Sequence, residues 1–251
     1  PGRIRYLVIP HSHFDHCGAV PYLKRKFPHI QILASAYSQE VFSREKAVNF
    51  IANANKEAEE HYLKDEPHGL DLQFDRIHVN RVVGENDVIN LGVSMELHFI
   101  EVPGHTKCSI ATYVPQLKAI FPSDSAPFPT DDGTELNNPS AQYDFSLYLE
   151  SLRKLASYQV EICGFDHQGV FVADQAKKIL QQGLEETQNF RNRLVEQYRR
   201  TGDLDKIAQE LAREATERNK LALMTSELQT IVARTIVEKC LAATSSHSET
   251  S

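Results

Sequence analysis

Short apolar runs alternate with amphipathic stretches over the first two thirds of the chain, and only amphipathic stretches follow. Residues 6–9 form a buried-strand candidate that Pro10 ends, because a proline cannot donate to a sheet ladder. A helix is predicted over 17–26, with Gly18 and Pro21 near its start, and a short strand over 31–34, which together make a βαβ-like unit. The stretch 38–63 reads as one long polar helix with Phe42, Val48, Ile51 and Ala52 on its apolar face, broken by Glu66, Pro67, His68 and Gly69. The period then shortens to that of strands, over 77–83, 88–91, 94–102, 109–114 and 119–121, with a turn at 84–87. A loop rich in Pro, Asp and Asn covers 125–142. Next come a helix over 144–158, with Phe145, Leu149, Leu152 and Leu155 on one face, and a strand over 160–163.

Beyond residue 174 strand signals cease. Helices are predicted over 174–200, 203–219 and 225–243, interrupted at Thr201-Gly202 and at 221–224, with Asp203 and either Thr225 or Ser226 as N-caps. Leu228, Ile231, Val232 and Ile236 give the last helix an apolar stripe expected to pack on other helices, and 244–251 read as a polar, frayed tail. The pattern divides the chain into an α/β domain, 1–173, and a helical cap, 174–251.

Composition narrows the classes. With 251 residues, 41% of them hydrophobic and 24% charged, the chain suits an ordinary globular protein. A net charge of -7 with no large basic cluster argues against nucleic-acid binding. The sequence contains neither a signal peptide nor an 18-residue apolar run, so no membrane association is expected. Cys17, Cys108, Cys163 and Cys240 are scattered without a C-x-x-C, which fits reduced thiols and a cytoplasmic location. The chain opens Pro1-Gly2-Arg3 without methionine, and a fragment or processed chain is expected.

The chemistry concentrates in residues 11–16, where His11, His13, Asp15 and His16 leave the first strand within six residues. His11 and His13, two apart in an extended loop, can face one metal, and Asp15 and His16, opening a helix, can face a second. His105 in Pro-Gly-His-Thr, Asp124 after a strand, and His167 in Gly-Phe-Asp-His recur at strand ends. Asp166 is a rival carboxylate read as a loop cap or outer group, and Cys17 and Cys108 read as small buried residues. Tyr143 and Tyr148 read either as phenols for a substrate oxyanion or, as is commoner beside a helix, as core aromatics, a choice the sequence leaves open. His29, His61, His68, His78, His98 and His247 fall outside the set.

In residue type, order and spacing these motifs resemble the metallo-β-lactamase-fold hydrolases, from the first strand to about Gly169. The resemblance implies an αββα sandwich, with the strands usually found ahead of the first motif missing, and a C-terminal helical cap. It implies that His11, His13 and His105 hold one metal, that Asp15, His16 and His167 hold a second, and that Asp124 bridges them. Two divalent ions are expected, zinc first, with iron or manganese as alternatives; Asp15 would orient the metal-bound hydroxide. One departure from the family is Ser123, where glycine commonly precedes the bridging aspartate, a change that ordinary backbone dihedrals would accommodate. A narrower resemblance, in residues 15–23, 31–35, 148–152 and the helical C-terminus, is to the quinolone-signal response thioesterases of pseudomonads.

Two functions follow as expectations. The first is a dinuclear metallohydrolase cleaving an ester, an acyl-CoA-like thioester or a lactone, with a small acyl molecule as its substrate. The second is a regulatory protein with a largely structural metal centre, whose last helices bind a partner protein or a second copy of the chain.

Overall fold

The computed structural model describes residues 4–63, 69–218 and 226–245, and the chain divides into two compact units, 1–87 and 88–251. The helix break at 66–68, the interruption at 221–224, the N-cap candidate Thr225 and the tail from 246 lie outside the described residues, as do His68 and His247.

The first unit holds a three-stranded parallel sheet of β1 (Tyr6–Val8), β2 (Gln31–Ala34) and β3 (Arg81–Val82), in that order. Its helices are α1 (Phe14–Cys17), α2 (Val20–Lys26), α3 (Ala36–Ser43) and α4 (Glu45–Tyr62). The helix expected over 17–26 is thus two helices, the first starting earlier at Phe14 and the second at Val20, and the one expected over 38–63 breaks at Arg44, whose φ of -83° and ψ of 117° are extended. Ser35 caps α3 by accepting from the Ser38 amide at 3.1 Å. The strand expected over 77–83 shrinks to two residues because Asn80 takes over ladder bonding. Its side-chain oxygen accepts from the Ile32 amide, and its own amide donates to the Ile32 carbonyl, both at 2.8 Å. The core of this unit gathers Ile9, Cys17, Ile30, Ile32, Phe42 and Ile51.

In the second unit a six-stranded mixed sheet runs β4 (Val88–Gly92), β5 (Met95–Glu101), β6 (Ile110–Val114), β7 (Ala119–Phe121), β8 (Ile162–Gly164), β9 (Val170–Val172). Only the β7–β8 pair is parallel, as α5 (Phe145–Ala156) lies between those strands in the chain. Strand β9 was not legible in the sequence: three residues, Val-Phe-Val, acquire strand geometry only by pairing with β8. Helices α6 (Ala173–Thr201), α7 (Leu204–Arg218) and α8 (Ser226–Ser245) complete this unit. Gly202, at φ 64°, ends α6 in the left-handed conformation that glycine adopts without strain, and Asp203 caps α7 through the Lys206 amide at 3.0 Å.

One core serves sheet and helices here: Phe145, Tyr148, Leu149, Leu152 and Leu155 of α5 pack with Leu180 and Phe190 of α6, Leu211 of α7 and Val237 of α8. Of the apolar stripe expected on α8, Ile236 is buried and Val232 packs against the core, whereas Ile231 is 55% exposed; Ala233, Val237 and Cys240 complete the buried face. The helix also continues through Ser245, so the frayed tail cannot begin at 244. Among the described residues no helix is long and apolar enough to cross a membrane.

Candidate metal centre

Each unit presents its candidate ligands on loops that leave strand ends. In the first unit the ladder is extended past β1 by the Ile9 amide, which donates to the Leu33 carbonyl at 2.8 Å. His13 then stands in the N-cap position of α1, at φ -70° and ψ 150°, and its carbonyl accepts from the His16 and Cys17 amides at 3.1 Å each. This short helix turns His16 back toward the loop, leaving the His11 ring centroid 4.8 Å from that of His13 and 4.1 Å from that of His16. Asp15 Oδ2 lies 3.3 Å from His16 Nε2. Cys17, fully buried, anchors α1 in the core, as a small apolar side chain would.

The second unit contributes three residues from three loops. His105 follows β5, Asp124 sits in a 3-10 turn, Ser123–Ser125, after β7, and His167 lies in the β8–β9 turn. The Ser125 hydroxyl donates to the Val102 carbonyl at 2.8 Å and so ties the first two loops together. His105 Nε2 and His167 Nε2 both approach Asp124 Oδ2, at 3.4 and 3.6 Å. These separations exceed an ordinary N–H···O hydrogen bond of about 2.7–3.2 Å. The 3.4 Å pair matches the roughly 3.3–3.4 Å between two donors on one tetrahedral metal with bonds of about 2.0–2.1 Å, and the 3.6 Å pair lies slightly beyond it. The donor set of neutral imidazole and carboxylate therefore suits a divalent cation.

His105 is locked for that role. Its Nδ1 lies 2.6 Å from the Ser140 carbonyl, which can only accept, so Nδ1 carries the proton and Nε2 keeps its lone pair for a ligand. Ser140 is held in turn by a loop braced from the helices. The Pro129 and Leu136 backbones form a bridge, Arg218 donates to the Leu136 carbonyl at 3.1 Å, and Arg193 links Asn138 to Glu214. Phe128 of the same loop lies tilted against His167, with centroids 5.0 Å apart. Mid-helix Gly183 lets α6 come close to that loop: a Cβ there would meet Pro127 Cδ at 3.3 Å.

Sequence reasoning had no means of finding Ser140, because a backbone carbonyl carries no residue-type signature. It did register Tyr148, whose role as a core aromatic holds: the ring is fully buried, while Tyr143 is 40% exposed. Asp166 is exposed. At Ser123 the backbone is not ordinary. Its φ is 58°, the left-handed region that disfavours a Cβ, so the condition under which serine would replace glycine easily is not met.

Comparison with known proteins aligns with this geometry. Residues 1–167 match the profile of the family described as the metallo-beta-lactamase superfamily. Among curated proteins the chain is 24% identical over 225 residues to the metallo-beta-lactamase fold-containing protein ST1585 of Sulfurisphaera tokodaii, covering 90% of this chain and 80% of that one. The solved structure of ST1585 superposes with a TM-score of 0.53 at 20% identity, over 72% of this chain and 66% of that chain. A beta-lactamase domain protein from Burkholderia ambifaria gives a TM-score of 0.60 at 12% identity, over 95% and 69% of the two chains. The stereoselective inverting sec-alkylsulfatase Pisa1 from Pseudomonas sp. gives 0.57 at 16% identity, over 94% of this chain and 41% of that one. These structural likenesses establish the fold that they share.

Proposed function

Since the chain belongs to the metallo-β-lactamase superfamily, we propose that it is a dinuclear metal-dependent hydrolase of an ester, an acyl-CoA-like thioester or a lactone. The observation that carries this reading is the convergence of His105 Nε2 and His167 Nε2 on one oxygen of Asp124 near the spacing of metal ligands. In the second unit His105, Asp124 and His167 would hold a cation, and in the first unit His11, His13, Asp15 and His16 offer the same donor types. Divalent zinc, or iron or manganese in its place, supplies a Lewis acid for the carbonyl oxygen and brings the pKa of water down to about 7.

The chain's own groups set orientation and protonation. The Ser140 carbonyl keeps the His105 proton on Nδ1, so that Nε2 stays a donor to metal. Asp15, in the first turn of α1, accepts a hydrogen bond from the attacking water and points its oxygen at the substrate carbonyl. Phe128 beside His167 offers an apolar wall for an acyl or aromatic group, and helices α6, α7 and α8 would cap that group. Within this class the acyl group is left open, in a cytoplasmic setting.

A second reading is a regulatory protein with a structural metal centre, favoured by one observation: Ile231, large and apolar, stands 55% exposed on the outer side of α8. The test is metal analysis of the purified protein for zinc, iron and manganese, run beside turnover of acyl-CoA thioesters, aryl esters, lactones and a sec-alkyl sulfate. About two metals per chain with metal-dependent turnover of an acyl substrate, abolished in His13→Ala, is the expected result. Metal-replete protein that turns over no member of the panel would favour the regulatory reading.

A further inference from the structure

The loop after Asp124 folds into a small hairpin that touches the His167 turn on one side and the C-terminal helices on the other. Its arms are tied by the Asn137 amide, which donates to the Phe128 carbonyl at 2.8 Å, by the Pro129–Leu136 bridge, and by the Thr130 amide donating to the Glu135 carbonyl at 2.9 Å. The buried Asn137 side chain adds a bond to the Pro129 carbonyl at 2.9 Å. Toward the site, Phe128 lies against the His167 ring and the Asp131 carboxylate accepts from the Gln168 side-chain amide. Toward the helices, Gly183 of α6 seats both arms. A helix interior favours alanine over glycine, yet a Cβ here would lie 3.3 Å from Pro127 Cδ and 3.9 Å from Leu136 Cδ1, one atom of each arm. Arg193, also of α6, fixes the returning arm. Its guanidinium lies over the buried Phe190 ring, 5.5 Å from the centroid. Its Nη1 donates to both Glu214 carboxylate oxygens of α7, at 3.0 and 3.1 Å, and its Nη2 to the Asn138 side-chain oxygen at 3.2 Å. An exposed ion pair rarely holds one geometry, but a planar guanidinium resting on a core ring is oriented before it binds its partners.

We propose that Gly183 and Arg193 are positioning residues for substrate selectivity: from α6 they set where the hairpin holds Phe128 beside His167, and so which size of acyl group the site accepts. The inference rests on the acyl-hydrolase reading above and deepens it. Phe128 follows Pro127 directly, so the few tenths of an ångström that a Cβ at position 183 would demand of Pro127 pass to its ring. The returning arm is bonded to Phe128 through Asn137, the neighbour of the Asn138 that Arg193 holds, so releasing Arg193 loosens the same ring from the other arm. An acyl group would thus meet a wall placed by helices, while its carbonyl meets residues carried on strand ends. Selectivity and chemistry then belong to different parts of the unit, and a change in one shows as a change in KM with little change in kcat.

The chain contains no tryptophan, so Phe128→Trp places a single fluorescent reporter on the wall. Gly183→Ala and Arg193→Met are each made in the wild type and in that background; the methionine keeps an apolar stem over Phe190 and removes the donors. Acrylamide quenching of the reporter and melting temperature are measured on metal-free protein. On zinc-loaded protein without the reporter, kcat and KM are measured for one small and one bulky member each of the CoA thioesters, p-nitrophenyl esters and lactones. Both variants are expected to fold, to change the quenching constant, and to shift the small-to-bulky ratio of kcat/KM by about 10-fold, through KM. If one variant fails to fold, the other decides. Unchanged quenching in the folded variants would overturn the positioning role whatever the activity. Altered quenching with an unchanged ratio would overturn the selectivity role, as would an equal loss of kcat for small and bulky substrates, the mark of a merely structural part. A wild type inert toward every pair would remove the acyl-hydrolase reading and the selectivity role with it, while the quenching would still report whether α6 places the hairpin.

Discussion

Ser123 delivers the chain to Asp124 through a left-handed backbone, φ 58°, in the 3-10 turn that follows β7. A residue with a Cβ pays roughly 1–2 kcal/mol for that conformation. Ser123→Gly is therefore expected to stabilise the metal-free protein by about 0.5–1 kcal/mol, the strain relieved being partly offset by the greater freedom of glycine in the unfolded chain. Ser123→Ala keeps the strain and should not stabilise. Urea unfolding of the pair would show it, and equal midpoints for Gly and Ala would mean that the backbone here bears no strain.

Gly104 is the reverse case. Its φ is 138°, and a Cβ would meet backbone atoms of Tyr148 at 2.3 and 2.4 Å, which cannot move aside as a flexible side chain can. Gly104→Ala should push α5 away from the His105 loop and cost about 2–4 kcal/mol by thermal or urea unfolding. A loss below about 1 kcal/mol would show that the loop and helix can separate cheaply.

Removing a ligand should cost more than removing its support. His105→Ala and Asp124→Ala each leave the opposing donors without a common centre, and metal affinity is expected to fall by more than the ~100-fold upper cost of an outer partner. Hydrolysis should fall with it. Elemental analysis after dialysis against a weak chelator reads the first effect, and retention of full metal content in either variant would remove that residue from the ligand set.

The buried thiols make the second unit sensitive to alkali. Burial pushes Cys163 and Cys240 up to about 12, from an ordinary value near 9. Between those values the folded state keeps its thiol protons while the unfolded chain has lost them, so the folded state binds more protons and stability falls as pH rises. Each thiol should shift the unfolding equilibrium by about tenfold per pH unit above roughly pH 9, with no contribution from them below it. Melting temperatures from pH 8 to 11 would show the decline, and Cys163→Ala, compared with itself over the same range, should show a shallower one. All four cysteines are buried and form no disulfide, so a thiol reagent at pH 8 should react quickly only after unfolding.

The sequence by itself determined the elements whose signal is local and offered the candidate ligands whose chemistry is in the side chain. The histidines and aspartates after β1, β5, β7 and β8 follow apolar runs that had to be strands, and imidazole and carboxylate are recognisable by residue type alone. Strand β2 and the buried face of α5 were legible for the same reason: a run bounded by turn residues and a clear helical period leave one reading. Only tertiary structure decided the rest. Strand β9 exists because β8 pairs with it, and β3 is short because the Asn80 side chain does ladder work usually left to the backbone. Ile231 faces outward because the buried face of α8 is chosen by what α5, α6 and α7 present to it, which one helix's periodicity does not encode. The positive φ of Ser123 and the Ser140 carbonyl behind His105 belong to the same class. Each depends on where backbone atoms from distant stretches meet, and backbone atoms are alike at every position in a sequence.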